Sequence, residues 1–574
     1  MRQSADKPNI ESLYPLTALQ EGMLFNNMLD NTSQAYNLQH VTKITGVLNL
    51  EYVKQSLQLL TQRHEILRSA IFYTKVKQPM MAIFKERMPE YTEIDLSSQS
   101  DFEEKISRIC KKEQERIFEF EKRPLFRVVI VKVDDENYQM IWTIHHIIVD
   151  GWSFAILQND FKRFYQMLSS GKNFSALRII VQQEKNEKSS YKNYIQWYKK
   201  QDHEEGYSYW NTLLSGYDNV PVIQSLQVPK NQNIQNDEIS VLISGVQYEN
   251  LIQFAKNSRV TLNTVLEAAL GVTIQLYTHL NDVVFGSVVS GRNSAVPDID
   301  DVAGLLINTI PVRVVLEPHM TVRDLIHSLH TQLIKSSNYD FCSLAEVLQH
   351  TNMKSSAIQT LFGFENYYEG EVSDTSQANI QFKTISEREQ TEYALTFTAY
   401  EENGLVLNIA YDTKIYTAEN VLQILNTFKQ VILTFVAYPD DIVSSLSFIT
   451  STESQMILKK FNSTEVKYPR EKTVIELFEE QVEKNPEKIA VVFENQSLTY
   501  AEINAKANQL AYKLRDLGVK PDDFVAIIPE RNINTIIGVC GILKSGAAYV
   551  PLDSSYPESR IKMILKDCQP KAIL

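Results

Sequence analysis

Tyr138 to Leu168, YQMIWTIHHIIVDGWSFAILQNDFKRFYQML, restricts this chain to folds in which a covered strand turns straight into a helix. YQMIWTI carries no charge and reads as a buried strand, and after Gly151 the apolar residues recur at helical spacing. The two histidines between them, His145 and His146, therefore sit at a strand-to-helix turn, where backbone donors can point into a cleft. Adjacent residues on an extended strand face opposite ways, so the pair is poorly placed to share a metal ion. The other eight of the ten histidines are scattered, and none forms H-x-x-x-H with these. Two readings of the stretch stay open on the residues alone. One is a satisfied turn at the edge of a core. In the other, one histidine is held inward while its neighbour faces a cleft as a general base. Asp150 could hold such a turn shut through an arginine, and Gly151 would permit close backbone approach.

With 574 residues the chain exceeds a single ordinary core and suggests roughly three or four domains. A net charge of −13 without a lysine- or arginine-dense run speaks against a nucleic-acid partner. Cys110, Cys342, Cys540 and Cys568 are far apart and form no C-x-x-C, which suits a reducing cytoplasm. The N-terminal MRQSADKPNIESLYPL has no apolar core of leader length, and IIGVCGIL before Lys544 is too short to span a bilayer. The sequence is thus read as cytoplasmic, without membrane or metal.

Helical spacing of Val53, Leu57 and Leu60 leads into a strand-like LRSAIF. From Ser169 to Ser190 the lysine- and serine-rich composition reads as an exposed connection. Thr261 is placed to cap a helix over LNTVLEAALGVTIQLYTHL, and DVVFGSVVSGR reads as a buried strand ending in a glycine turn. A helix ends near Tyr438, a linker follows, and a new α/β pattern starts at about Lys472.

HHIIVDG (His145 to Gly151) matches the HHxxxDG signature of nonribosomal peptide synthetase condensation domains, relatives of chloramphenicol acetyltransferase. Other blocks resemble the family's motifs in order: YPLTALQEGMLF (Tyr14 to Phe25), RHEILRSAIF (Arg63 to Phe72), YKNYIQW (Tyr191 to Trp197), VSGRN (Val289 to Asn293) and GLLINTIPVR (Gly304 to Arg313). Asn193 stands where the fourth motif has aspartate and is read as structural. NYDFCSLAEV (Asn338 to Val347) and LFGFENYY (Leu361 to Tyr368) are weaker matches. LTYAEINAKANQLAYKLRDLGV (Leu498 to Val519) and LKSGAAYVPLDSSYPESRI (Leu543 to Ile561) resemble the first two motifs of an amino-acid adenylation domain. Neither a Ser/Thr/Gly-rich phosphate loop nor a carrier-type serine motif accompanies them.

The resemblance implies an α/β (α+β) fold of two chloramphenicol-acetyltransferase-like lobes in a V shape with a central tunnel, plus a partial α/β adenylation subdomain. It divides the chain into a tail over 1–13, which could dock an upstream subunit, an N-lobe over 14–175, a C-lobe over 176–450, a linker over 451–471 and an adenylation fragment over 472–574. It implies that His146 assists attack by an acceptor amine. His145, Asp150 and Gly151 hold the loop, and Asp150 pairs with Arg292. Gln20, Trp152, Ser153 and Asn308 are candidates for the tunnel wall. The implied reaction joins a carrier-bound donor thioester to a carrier-bound aminoacyl acceptor. The phosphopantetheine arms of both carrier proteins act as substrates, and no cofactor is bound. YPLTALQEGMLF with HHIIVDGWS resembles the subtype that takes a D-configured donor from an upstream carrier protein, on a subunit ending in an epimerisation domain. A downstream acceptor carrier, the adenylation domain in cis and a monomeric state complete the expectation. An epimerisation domain, or an acyltransferase acting on a soluble acceptor, is the alternative.

Overall fold

An uncharged strand needs cover on both faces, and the computed structural model provides it. The structure describes residues 9–29, 36–225, 236–351, 353–365, 380–388 and 393–574. In its first half a five-stranded sheet contains β2 (Asn37–Thr45), β5 (Glu90–Asp95), β6 (Phe126–Lys132) and β7 (Asn137–His145). β7 is the central strand, antiparallel to both β2 and β6, and every residue from Met140 to His145 is buried. Met140, Trp142 and Ile144 face one core, while Ile141 faces another, shared with Val41, Val129 and Ile106 of α3 (Phe102–Glu115). That is why the stretch shows no polar alternation. A small sheet of β1 (Ile10–Pro15), β3 (Ser69–Phe72) and β4 (Met80–Phe84) accompanies α1 (Ala18–Leu29) and α2 (Leu50–Arg63).

α4 (Gly151–Ser169) buries Phe154, Leu157, Phe161, Phe164 and Leu168 along one stripe. Phe154 and Phe161 meet the indole of Trp142 edge-on, each with ring centres 5.5 Å apart. The Ser169 to Ser190 stretch differs from expectation, because it contains α5 (Phe174–Glu187) rather than an open connection. Asn173 caps that helix, and only Leu177 and Val181, one turn apart, are buried. So narrow an apolar stripe is masked by the surrounding lysines and serines. Core packing also extends beyond residue 176. The first core continues through Tyr191 and Tyr194 of α6 (Tyr191–Tyr198), and takes in Val302, Leu305 and Leu306 from much later in the chain.

After α7 (His203–Leu213), the second half builds a six-stranded sheet, in the order β10-β9-β11-β13-β14-β8. Its strands are β8 (Asn236–Ile243), β9 (Asp282–Val289), β10 (Asn308–Val315), β11 (Thr360–Glu365), β13 (Leu395–Glu401) and β14 (Leu405–Asp412). β12 (Gln381–Arg388) instead pairs with β2 and extends the first sheet. Helices α8 (Val246–Asn257), α9 (Leu262–Thr278), α10 (Val322–Ser336) and α12 (Ala418–Ala437) pack into the core on one face, and α7 with α11 (Leu344–His350) supplies the other. Thr261 caps α9 as its sequence suggests, accepting from Thr264 N. LFGFENYY lies within the described residues only as far as Glu365, and of the tail only Asn9 onward is described.

The chain separates into two compact units at Ser454/Gln455. The expected linker begins with a short helix, α13 (Ser451–Gln455), and is exposed from Ile457 to Val474. The second unit carries α14 (Val474–Lys484), a hairpin of β15 (Ile489–Phe493) and β16 (Gln496–Thr499), α15 (Tyr500–Asp516) and α16 (Ile533–Ser545). A parallel sheet of β17 (Phe524–Ile527), β18 (Ala548–Pro551) and β19 (Ala572–Ile573) and a last helix, α17 (Glu558–Cys568), complete it. Gly546 of KSGAAYVP ends α16 with a φ of 92°, a left-handed helix stop. Among the described residues no single helix is long and apolar enough to cross a membrane.

Packing of α5 yields a stability test. Leu177→Ala should cost about 2–5 kcal/mol, whereas Ile179→Ala, at a position 63% exposed, should stay within about 0.5 kcal/mol. Urea unfolding of the whole chain followed by far-UV circular dichroism reads both. Equal, negligible effects would mean that α5 is not packed.

Candidate active site

β7 ends at His145, and the chain turns through a single 3₁₀ turn, His146 to Ile148, before Asp150 caps α4. Hydrogen bonds to distant segments hold the turn. His146 N donates to Tyr36 O (2.8 Å), and Gln20 of α1 donates from Nε2 to Ile147 O (2.9 Å). His145 Nδ1 accepts from Ile147 N at 3.1 Å. The His145 ring is 1% exposed and flanked by Phe118 and Phe120. Burial, helped by His146 and Arg127, pushes its pKa down to about 3, so the ring is neutral at physiological pH. His146 is also buried, at 5% exposure.

Asp150 is wholly buried and accepts hydrogen bonds from both halves of the unit. Oδ1 takes Ser153 N (2.7 Å), the helix cap, and Arg292 Nη2 (3.4 Å). Oδ2 takes Arg292 Nη1 (3.2 Å), Leu306 N (2.9 Å) and Ile307 N (3.2 Å). Burial alone would raise this carboxyl. The Arg292 charge and the bonds from Ser153 and Leu306 outweigh it and hold the group below its ordinary value.

Arg292 also donates from Nη2 to Ser153 Oγ (3.1 Å) and Val302 O (3.2 Å), and from Nη1 to Ser290 O (3.2 Å). Its guanidinium lies over the Trp152 ring at 5.2 Å. Two glycines make this approach possible. A Cβ on Gly291, whose φ is 64°, would lie 1.8 Å from Leu306 O, and one on Gly304 would lie 2.1 Å from Tyr191 Cδ2.

The structure thus brings together His145, His146, Asp150, Gly151, Trp152, Ser153, Arg292 and Gln20, with Asn308 next along the chain from Ile307. Several of them make defined hydrogen bonds. Ser153 Oγ donates to Gly304 O (2.7 Å) and accepts from Gly304 N (3.0 Å). Asn308 Nδ2 donates to Asp340 O and Cys342 O, both at 2.7 Å, and Trp152 Nε1 donates to Asp300 O (3.0 Å). Gln20, Ser153, Asn308 and the Trp152 indole N–H each hydrogen-bond a backbone group. Gly151 adopts no left-handed conformation; it is simply the first residue of α4. Asn193 closes a capping box with Ser190 at the start of α6, a structural part. Sequence reading missed the backbone N–H groups of Leu306 and Ile307, which have no side-chain signature. A shallow cleft beside Arg63, Lys185, Tyr191 and Asp301 contains none of the histidine turn.

The condensation-domain family model matches residues 10–458, and the AMP-binding enzyme model matches residues 478–574. Bacitracin synthase 3 of Bacillus licheniformis is 33% identical over 99% of the chain, which spans only 9% of that protein. Among solved structures, a four-domain nonribosomal peptide synthetase bound to AMP and glycine aligns with a TM-score of 0.72 at 17% identity, over 100% of this chain and 44% of its own. The starter condensation domain of rhizomide synthetase, solved with C8-CoA and Leu-SNAC, aligns with a TM-score of 0.61 at 16% identity, over 76% of this chain and 98% of its own. The chain belongs to the condensation-domain family of nonribosomal peptide synthetases, followed by the start of an AMP-binding enzyme domain.

Proposed function

We propose that residues 10–458 form an amide bond between two carrier-tethered substrates, a peptidyl or aminoacyl thioester donor and the α-amine of an aminoacyl acceptor. The observation that carries this reading is a histidine turn held in place by hydrogen bonds from both halves of the unit, with His146 beside a neutral, immobilised His145. The ligands of the rhizomide synthetase domain, C8-CoA and Leu-SNAC, support thioester-type partners as the substrate class.

In this reading the acceptor amine attacks the donor carbonyl. His146 accepts a proton from the attacking amine or the zwitterionic intermediate, and the donor carrier's thiol leaves. An α-amine with a pKa near 8 needs only a mild base. Holding both phosphopantetheine arms end to end supplies several kcal/mol through proximity, and general-base help adds roughly 10²- to 10⁴-fold. The acceptor arrives on a downstream carrier, with the adenylation domain in cis. The donor arrives on an upstream carrier from a subunit ending in an epimerisation domain, and the protein works as a cytoplasmic monomer. The first motif with HHIIVDGWS favours a D-configured donor.

His146→Ala should lower kcat for amide formation by at least roughly 10²-fold with the fold intact, and near-wild-type turnover would leave His146 a packing role only. Loading donor carriers with matched L- and D-peptidyl groups and identifying the product by mass spectrometry should show amide formation with preference for the D-donor. Preference for the L-donor would overturn the subtype, and α-proton exchange without amide formation would point to epimerisation.

Arg292→Met leaves Asp150 buried and unpaired, which should cost about 3–5 kcal/mol in thermal unfolding. The Asp150 carboxyl titrates below its unfolded value. Its stabilisation is therefore complete above that value of 3.8 and is lost as pH falls through the lowered folded value. Asp150→Asn should flatten that acid-side loss.

A further inference from the structure

Behind the histidine turn lies a buried cation that neither the motif nor the mechanism above uses. β6 sets Arg127 opposite Thr143 of β7, two residues before His145, and Arg127 is 3% exposed. Its Nη2 donates to the carbonyls of Glu113 (2.7 Å) and Arg116 (2.9 Å), and its Nε lies 3.2 Å from Glu113 Oε2. Its guanidinium stacks 3.8 Å from the centre of the Phe118 ring. Phe118 also meets the His145 imidazole edge-on, with centres 5.7 Å apart and planes at 89°, and Phe120 does the same at 4.8 Å and 74°.

The protonation state of His145 has a structural consequence. Its Nδ1 accepts from Ile147 N, which requires a neutral ring with its proton on Nε2. An imidazolium has two N–H donors and would lose that bond. Ile147 follows His146 directly, and its carbonyl is the group that Gln20 holds. Release of Ile147 N would loosen the segment that carries His146.

We propose that Arg127 is a positioning residue for amide formation: by supporting Phe118 and neutralising Glu113 it keeps His145 a neutral acceptor, and so fixes the turn that presents His146. This rests on the reading of His146 as the acting group. The charged and titratable groups around His145 are few. His146 adjoins it and β6 brings Arg127, while Glu113 of α3 and Arg116 just after it stand around Arg127. Glu90 of β5 and Arg123 lie beyond, around Arg127. β2 presents Asn37, whose amide donates to Gln114 O (3.0 Å), and α1 presents Gln20. Removing the cation leaves the Glu113 carboxylate, its side chain only 14% exposed, with Arg116 at 3.6 Å as its remaining ion pair. Loss of the Arg127 charge that acts on the ring, with the Glu113 carboxylate left beside the vacated position, favours the imidazolium of His145.

The test compares Arg127→Met, Arg127→Lys and the double variant E113Q/R127M in the full chain. Long-range ¹H–¹⁵N spectra of the histidines read the tautomer, and amide formation is followed against pH. In the wild type His145 should stay neutral, with its proton on Nε2, across the range of activity. In Arg127→Met it should titrate at a higher pH, with kcat down at least about tenfold, KM for the acceptor within about twofold, and an acid limb shifted upward. Arg127→Lys and E113Q/R127M should restore the neutral ring and most of kcat. Equal impairment of the single and double variants, or loss of the neutral ring in Arg127→Lys, overturns the proposal. So does a His145 that behaves identically in wild type and Arg127→Met. A wild type that forms no amide overturns the functional reading, while the imidazole spectra still decide the part played by Arg127.

Discussion

Two chain segments more than a hundred residues apart meet on the carboxylate of Asp150, and the site depends on that meeting. Burying an ion pair costs desolvation that attraction alone seldom recovers, unless the remaining lone pairs are also satisfied. Here they are: five N–H groups converge on two oxygens, from Ser153, Leu306, Ile307 and twice from Arg292. Such a pair is better understood as a specifier of geometry than as a source of net stability. It accepts one arrangement of the Gly291 to Ile307 segment against the start of α4, and it leaves a buried charge behind in any other. Gly291 and Gly304 belong to the same constraint, because any Cβ there would strike Leu306 O or the Tyr191 ring.

The same economy explains the two histidines. Adjacent in sequence, they experience different surroundings because the strand ends between them. His145 belongs to β7 and is sealed by aromatic rings, while His146 opens the 3₁₀ turn. A wholly buried imidazole without a carboxylate partner cannot keep a proton, and its basicity is given up in exchange for a fixed acceptor. Strand alternation makes that division possible with no further residue, which a metal-binding pair could not use.

Much of this was legible in the sequence, and the rest was not for identifiable reasons. The strand–turn–helix at Tyr138 to Leu168 could be read directly, because a strand covered on both faces and an amphipathic helix have different periodicities. The pairing of Asp150 with Arg292 could be proposed only through resemblance, since no local pattern links residues 142 positions apart. Gln20, Ser153 and Asn308 stand in or beside the motifs, yet the groups they hold could not be read. Their partners are main-chain groups of distant segments, and main-chain groups leave no mark in a sequence. α5 escaped for the opposite reason: its two buried residues are a minority in a polar stretch.

A fold that fixes its site through one buried carboxylate and one neutral imidazole has divided two tasks that are often combined. Asp150 brings the halves of the unit together by charge and is insensitive to pH near neutrality, because its folded value lies below the ordinary carboxylate range. His145 sets the local backbone by hydrogen-bond polarity and is insensitive for the opposite reason, since burial keeps it from accepting a proton. Both supports thus hold steady across the range in which an acceptor amine and an imidazole exchange protons. In the proposed reading, His146 is the group at the turn that takes part in that exchange. A frame built from groups that titrated in the same range would move at the moment its histidine did.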